Sequence, residues 1–278
     1  MMNYFSQGKL KRSITRVPSQ FTDVLYAKQD HIARVTINRP EALNAFRTQT
    51  LLELIAAFED IEKDGSVGVV VLTGMGNKAF CVGGDAKENA GKAGYSRELV
   101  IATARVHELI RKAPQPVIAA VNGYAIGGGH VLHLLCDLTI ASENARFGQA
   151  GPRVGSFDAG FGSAYMARAV GEKKAREIWF LCRQYTAQEA LQMGLVNKVV
   201  PPDKLEAEVN DWCQEILAKS PTALKCLKAS FNADSDSIVG LENMSWPTIW
   251  MYFQTEEAME GRKAFLEKRT PDFNKFRK

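Results

Sequence analysis

The chain has 278 residues, of which 46% are hydrophobic and 24% charged. A chain of this length and make-up buries roughly three-quarters of its unfolded surface, which excludes a disordered tail protein, a collagen and a disulfide miniprotein. Its formal net charge of +4 equals the four bases of residues 1–22 (Lys9, Lys11, Arg12 and Arg16), which face no acid there, and the remainder balances 31 bases against 31 acids.

Residues 1–22 read as a basic N-terminal arm, 23–200 as an α/β core and 201–278 as a helical region. Positions 24–27 and 31–37 are β-rich and alternate, predicting an opening hairpin. Positions 48–62 place Leu51, Leu52, Leu54, Ile55, Phe58 and Ile61 at helical spacing. A β-branched run at 67–72 predicts a buried strand closed by Thr73-Gly74. A helix over 99–112 is stopped by Pro114 and Pro116. Strands are predicted at 117–121, 138–141 and 196–200, and helices at 127–136, 173–182 and 187–193. Beyond Pro202 the pattern is helical only, over 204–218, 222–231 and 240–268. No repeat of fixed period is visible. Buried parallel strands joined by helices define an α/β class.

The five cysteines (Cys81, Cys136, Cys182, Cys213 and Cys226) are odd in number and form no CxxC pair. Reduced thiols and a cytoplasmic location are expected, without a structural zinc. No apolar run approaches the ~20 residues that span a bilayer, so no membrane insertion is expected. A nucleic-acid partner would need positive charge clustered on the domain, so none is expected.

Two glycine-rich turns could carry chemistry. They are Phe80-Cys81-Val82-Gly83-Gly84-Asp85, and Gly123-Tyr124-Ala125-Ile126-Gly127-Gly128-Gly129-His130 ahead of a helix. Each could aim one backbone N–H at a shared oxygen, or both could be tight turns packed for steric reasons. GxxxxGK[ST], GxGxxG and GxSxG are absent, so no nucleotide redox cofactor is expected. His130 and His133 share a helix face without an acid nearby, which suits core histidines better than a metal site. The loop at 147–160 offers Gln149, Ser156 and Asp158. Burial could raise the Asp158 pKa for acid catalysis, or its carboxylate could close an Asx turn.

The motif Asn38-Arg39-Pro40 through Asn44-Ala45-Phe46, followed in order by the two glycine turns, resembles the crotonase (enoyl-CoA hydratase/isomerase) superfamily. Within it, GGGHVLHLLCD at 127–137, the loop at 148–158, KAREIWFLCRQ at 174–184 and KRTPDFNKF at 268–276 resemble the naphthoate synthases of quinone biosynthesis. The resemblance runs from about residue 23 to the C-terminus. It implies a crotonase-like spiral of ββα units, with C-terminal helices that build a homotrimer, usually paired as a homohexamer.

It also implies an oxyanion hole from the Gly84 and Gly128 amides. The substrate and CoA contacts it implies are Leu43, Val82, Gly83, Asp85, Ala86, Tyr124, Ala125, Ile126, Gly127, Tyr252 and Lys268. Related hydratases carry two glutamates at positions that are Val131 and Gly151 here, so the acid–base pair for alkene hydration is missing. In one naphthoate synthase subgroup, bicarbonate at the position of Gly151 serves as the base; here Gln149, Ala150, Gly151 and Trp179 would hold it. An aspartate at 151 should then restore part of the rate without it. The implied substrate is o-succinylbenzoyl-CoA, closed by an intramolecular Claisen condensation. Asp158, Ser156 and Tyr95 would bind and protonate the carboxyl, under a lid at 89–97.

Two positions depart from the family pattern. The usual tyrosine near the C-terminus is Phe253, with Tyr252 beside it, and a basic CoA contact is Leu43. Alternatives are a dehalogenase or β-diketone hydrolase using Asp158 as nucleophile or base, and a non-catalytic acyl-CoA- or RNA-binding protein.

Overall fold

The computed structural model describes residues 21–88 and 95–277. Most of the basic arm, and positions 89–94 of the expected lid, lie outside the described residues. The strands in chain order are β1 (Val24–Gln29), β2 (Ile32–Ile37), β3 (Val69–Gly74), β4 (Ala79–Cys81), β5 (Val117–Val121), β6 (Tyr124–Ile126), β7 (Leu138–Ser142), β8 (Arg146–Gly148), β9 (Gln184–Thr186) and β10 (Lys198–Val200). The helices are α1 (Thr48–Lys63), α2 (Arg97–Lys112), α3 (Gly128–Leu135), α4 (Gly151–Val154), α5 (Met166–Val170), α6 (Glu172–Leu181), α7 (Ala187–Gln192), α8 (Leu205–Leu217), α9 (Pro221–Asp234), α10 (Ser237–Phe253) and α11 (Glu256–Leu266).

The larger sheet runs β1-β2-β3-β5-β7-β10, parallel except for the β1–β2 hairpin. Its inner strands β3 and β5 are apolar on both faces because both are covered. Val70 and Leu72 of β3 pack into the main core with Leu54, Phe58 and Val106 from α1 and α2. Val69 and Val71 point the other way, onto Leu205, Val209 and Cys213 of α8.

A second sheet, β4-β6-β8-β9, was not predicted. Its strands are three residues each; β4 and β6 overlap the two glycine-rich turns, β8 opens the loop at 147–160, and β9 follows α6. Three residues are too few to show alternation, and their partners are distant in sequence. The units β3–β4–α2, β5–β6–α3 and β7–β8–α4 then repeat one pattern. The first strand of each joins the larger sheet and the second joins the smaller. The result is a mixed α/β spiral of ββα units without any sequence period.

The helix expected over 240–268 is two helices. Thr255 ends the first by capping α11, its Oγ1 accepting from Ala258 N at 3.2 Å, and Glu256 and Glu257 suit the positive end of the new helix. The C-terminal helices follow the core as expected. No helix of the described residues is long and apolar enough to cross a membrane.

The first sequence motif positions the glycine turns. Asn44 is fully buried with φ +56, a conformation asparagine tolerates better than most residues. Its Nδ2 donates to Met75 O (3.0 Å) and Ala79 O (2.7 Å), and its Oδ1 accepts from Arg39 N (3.0 Å). Asn44→Ala leaves these groups unpaired and adds backbone strain. It should lower stability by on the order of 3–5 kcal/mol, read as a fall in the urea midpoint.

Candidate active site

The two glycine turns touch. Phe46 and Gly84 form an isolated parallel bridge. Phe46 N donates to Gly83 O and Asp85 N donates to Phe46 O, both at 2.8 Å. In a parallel pairing the central partner residue turns its own N–H and C=O to the opposite side. The Gly84 amide therefore faces away from Phe46, while its carbonyl accepts from the Tyr95 hydroxyl at 3.2 Å.

Gly128 is the first residue of α3, so its N–H is one of the helix donors without an intrahelical acceptor. A Cβ on Gly128 would sit 3.4 Å from Gly83 Cα and 2.8 Å from the Phe46 ring. Gly83 (φ +88) and Gly127 (φ +57) occupy conformations that favour glycine. Two free amides thus lie on adjoining turns at one wall of a cavity of about 500 Å³.

Most of the residues singled out from sequence line that cavity: Leu43, Val82, Gly83, Gly84, Ala86, Tyr95, Tyr124, Ile126, Gly127, Gly128, Gln149, Ala150, Gly151, Ser156, Asp158 and Trp179. Four do not. Asp85 is held by Arg39 Nη2 at 2.9 Å. Ala125 is fully buried within β6. Tyr252 packs on Phe157, ring centroids 5.3 Å apart. Lys268 is exposed beyond α11. Phe253, not Tyr252, reaches the cavity, and its ring meets Tyr95 edge-on at 5.3 Å. One helical step turns a side chain by about 100°, which separates the two neighbours.

Val131 and Gly151 both line the cavity, so neither of the two positions supplies a carboxylate. The surroundings of Gly151 suit a small anion in part. Gln149 is 2% exposed, and its Nε2 has no hydrogen-bond partner among the described residues. A buried amide without an acceptor is costly and points to a ligand. A Cβ on Gly151 would lie 2.6 Å from Ser156 O and 3.1 Å from the Trp179 ring. The Trp179 N–H is already used, donating to Gly162 O at 2.6 Å. Trp179 is therefore a wall of this pocket, and Gln149 is its donor.

Asp158 realises both readings of its loop. Its Oδ1 accepts from Gly160 N (3.0 Å) and Gly162 N (2.9 Å), closing a turn. Burial, reinforced by the negative charge of Glu242, nevertheless pushes its carboxyl up to about 6, against the opposing effects of His107 and the two amides. Burial also raises the Tyr95 hydroxyl to about 12, so it stays a neutral donor.

The sequence reading missed several residues of this wall. His107 lies on the inward face of α2 with Leu99, Val100 and Thr103, and it lines the cavity. Its Nδ1 is 3.1 Å from Glu242 Oε1 on α10, and Glu242 Oε2 accepts from Phe161 N at 2.9 Å. Trp246 and Arg262 also line the cavity. The Arg262 guanidinium stands 5.3 Å over the Tyr95 ring, with both terminal nitrogens unpartnered among the described residues. A histidine at i+4 from Thr103 on an apolar helix face was the available signal. Glu242 and Arg262 had none, because they come from the distant C-terminal helices. His130 and His133 are fully buried core residues, 4.8 Å apart, and burial holds His130 neutral with a pKa of about 3.

Residues 27–276 match the family model described as enoyl-CoA hydratase/isomerase. Solved structures are similar over nearly their whole length. An enoyl-CoA hydratase from Mycobacterium avium subsp. paratuberculosis K-10 is 30% identical, with a TM-score of 0.84 over 91% of this chain and 99% of that one. An enoyl-CoA hydratase/isomerase from Pseudoalteromonas atlantica T6c is 28% identical, with a TM-score of 0.82 over 91% and 100%. An enoyl-CoA hydratase from Bacillus anthracis is 32% identical, with a TM-score of 0.73 over 90% and 98%. The chain belongs to the enoyl-CoA hydratase/isomerase, or crotonase, family.

Proposed function

We propose that the chain acts on an acyl-CoA thioester and closes o-succinylbenzoyl-CoA to 1,4-dihydroxy-2-naphthoyl-CoA with loss of water. One observation carries this reading. Both positions for hydratase acids are apolar, Val131 and Gly151, while an unpartnered Gln149 amide stands beside Gly151 in the same cavity as the raised carboxyl of Asp158.

The Gly84 and Gly128 amides receive the thioester oxygen as it becomes an enolate, each worth roughly 3–4 kcal/mol. Bicarbonate, when held by Gln149 beside Gly151, supplies a base for the carbon alpha to the thioester. Asp158, in its protonated form, donates to the aromatic carboxyl, and Ser156 lines the same end of the cavity. Arg262 offers a desolvated positive charge to an anionic substrate group, and Tyr95 holds the guanidinium in place. The apolar walls from Leu99, Val100, Ile249 and Phe253 suit an aromatic ring. Exposed Phe231 (76%) and Met251 (70%) on the C-terminal helices fit assembly into a homotrimer or homohexamer.

A second reading is favoured by Phe253, which places a ring where the resemblance implies a hydroxyl. It is hydrolysis of a cyclic β-keto thioester, the same carbon–carbon bond broken instead of made. Incubation with o-succinylbenzoyl-CoA and with 2-oxocyclohexanecarbonyl-CoA, each followed by mass spectrometry, separates the two. The leading reading expects loss of 18 mass units from the first and no change in the second. Gain of 18 units by the second alone would replace it.

A further inference from the structure

The buried His107–Glu242 pair is not used by the mechanism above. We propose that His107, oriented by Glu242, is a second proton-transfer group of this cavity, working at its Asp158 end. The inference rests on the reading of the cavity as a site of carbonyl chemistry.

Three observations carry it. His107 is 1% exposed to solvent, lines the cavity, and leaves Nε2 without a hydrogen-bond partner among the described residues. Its other nitrogen, Nδ1, lies 3.1 Å from Glu242 Oε1. A carboxylate at Nδ1 fixes the proton there, leaves Nε2 as the reactive nitrogen, and stabilises the imidazolium once Nε2 takes a proton. Glu242 is itself fixed, because Oε2 accepts from Phe161 N at 2.9 Å and an added Cβ on Gly160 would collide with it. The same helix α10 fastens the Asp158 loop through Ser245 Oγ, which accepts from Ala159 N at 3.2 Å. The titratable groups facing His107 are Glu242 from α10 and Asp158 from that loop. Arg111, four residues further along α2, faces the rings of Phe161 and Tyr165 instead.

The proton balance has a place for such a group. Ring closure removes one proton from carbon, and the base takes it. The carboxylate carbon gains a carbon–carbon bond and loses one oxygen, which leaves as water after receiving two protons. Asp158 donates one, and His107 in its imidazolium form donates the other. Each group is reprotonated afterwards, giving the net uptake of one solvent proton per turnover that consuming a carboxylate demands. In the hydrolytic direction the same nitrogen accepts a proton from water.

His107→Gln should lower kcat by about 100-fold, within the usual range for a proton-transfer group, at unchanged KM, and remove one ionisation from the pH profile. Glu242→Gln keeps an acceptor for Phe161 N and should give an intermediate loss with a shifted ionisation. A folded His107→Gln with the wild-type kcat and pH profile would overturn the proposal. Nitrogen-15 histidine spectra give a readout apart from turnover. The His107 Nε2 signal should move on adding benzoyl-CoA while its Nδ1 stays protonated, and buried His130 and His133 should not move. Its signal is assigned by loss in His107→Gln, or by proximity to Trp246, 5.5 Å away, if that variant does not fold. An unprotonated Nδ1, or a signal that benzoyl-CoA leaves in place, would refute it. Wild type that makes neither product fails the functional reading alone, and the spectra then decide on His107.

Discussion

Asp158→Asn lowers kcat by about 10²–10⁴-fold while acyl-CoA affinity stays unchanged, the range for losing a positioned general acid. The substitution is nearly isosteric. Its Oδ1 can still accept from Gly160 N and Gly162 N, so the loop remains closed. What is lost is a carboxyl that burial and Glu242 push up to about 6. The acid form prevails below that value and is lost as pH rises through it. The wild-type rate should fall on that alkaline side, and Asp158→Asn should remove the limb.

Stability falls with rising pH in the same direction as activity, but the substitution affects the two oppositely. A carboxyl raised from its ordinary 3.8 binds its proton more tightly in the folded state. Its stabilising contribution is complete below about pH 4 and lost as pH climbs through about 6. Asp158→Asn should therefore raise the thermal midpoint at pH 8 while abolishing turnover. A variant with near-normal kcat, or one destabilised at pH 8, would count against a strained acid at this position.

The second large effect belongs to Gln149. Gln149→Leu keeps the volume and removes the one unpartnered amide beside Gly151. A hydrogen bond to an ion is worth about 1.5–3 kcal/mol, so bicarbonate binding should weaken by roughly 10–100-fold. Carbon-13 bicarbonate titrations followed by NMR read this directly, beside the bicarbonate concentration that gives half the maximal rate. Equal bicarbonate affinity in variant and wild type would remove Gln149 from that role. Sequence reasoning expected an aspartate at 151 to take over from the ion. The structure makes that a poor test, because the new Cβ would lie 2.6 Å from the Ser156 carbonyl oxygen and the backbone would have to move. Gly151→Asp should lose stability and gain little rate.

The large sheet was legible because its opening hairpin alternates and its inner strands, such as β3, are continuous apolar runs long enough for composition to speak. The small sheet was not, since three-residue strands carry no period and declare themselves only by pairing across the chain. The site divided in the same way. Gly83, Gly84, Gly127 and Gly128 stood out because a tight backbone approach admits little else. Asp158 stood out as an acid between apolar neighbours. Glu242, Trp246 and Arg262 lie on α10 and α11, about a hundred residues further along the chain, and only tertiary packing brings them to the cavity. The choice between Tyr252 and Phe253 likewise needed the phase of one helix against its neighbours.

The central claim is that an enolate forms here without a side-chain base at either hydratase position. The measurement that tests it most directly is the initial rate of 1,4-dihydroxy-2-naphthoyl-CoA formation, taken against bicarbonate concentration in carbon-dioxide-free buffer. The account predicts a saturable rise from a rate near background. A full rate in bicarbonate-free buffer, or no product at any concentration, would contradict it.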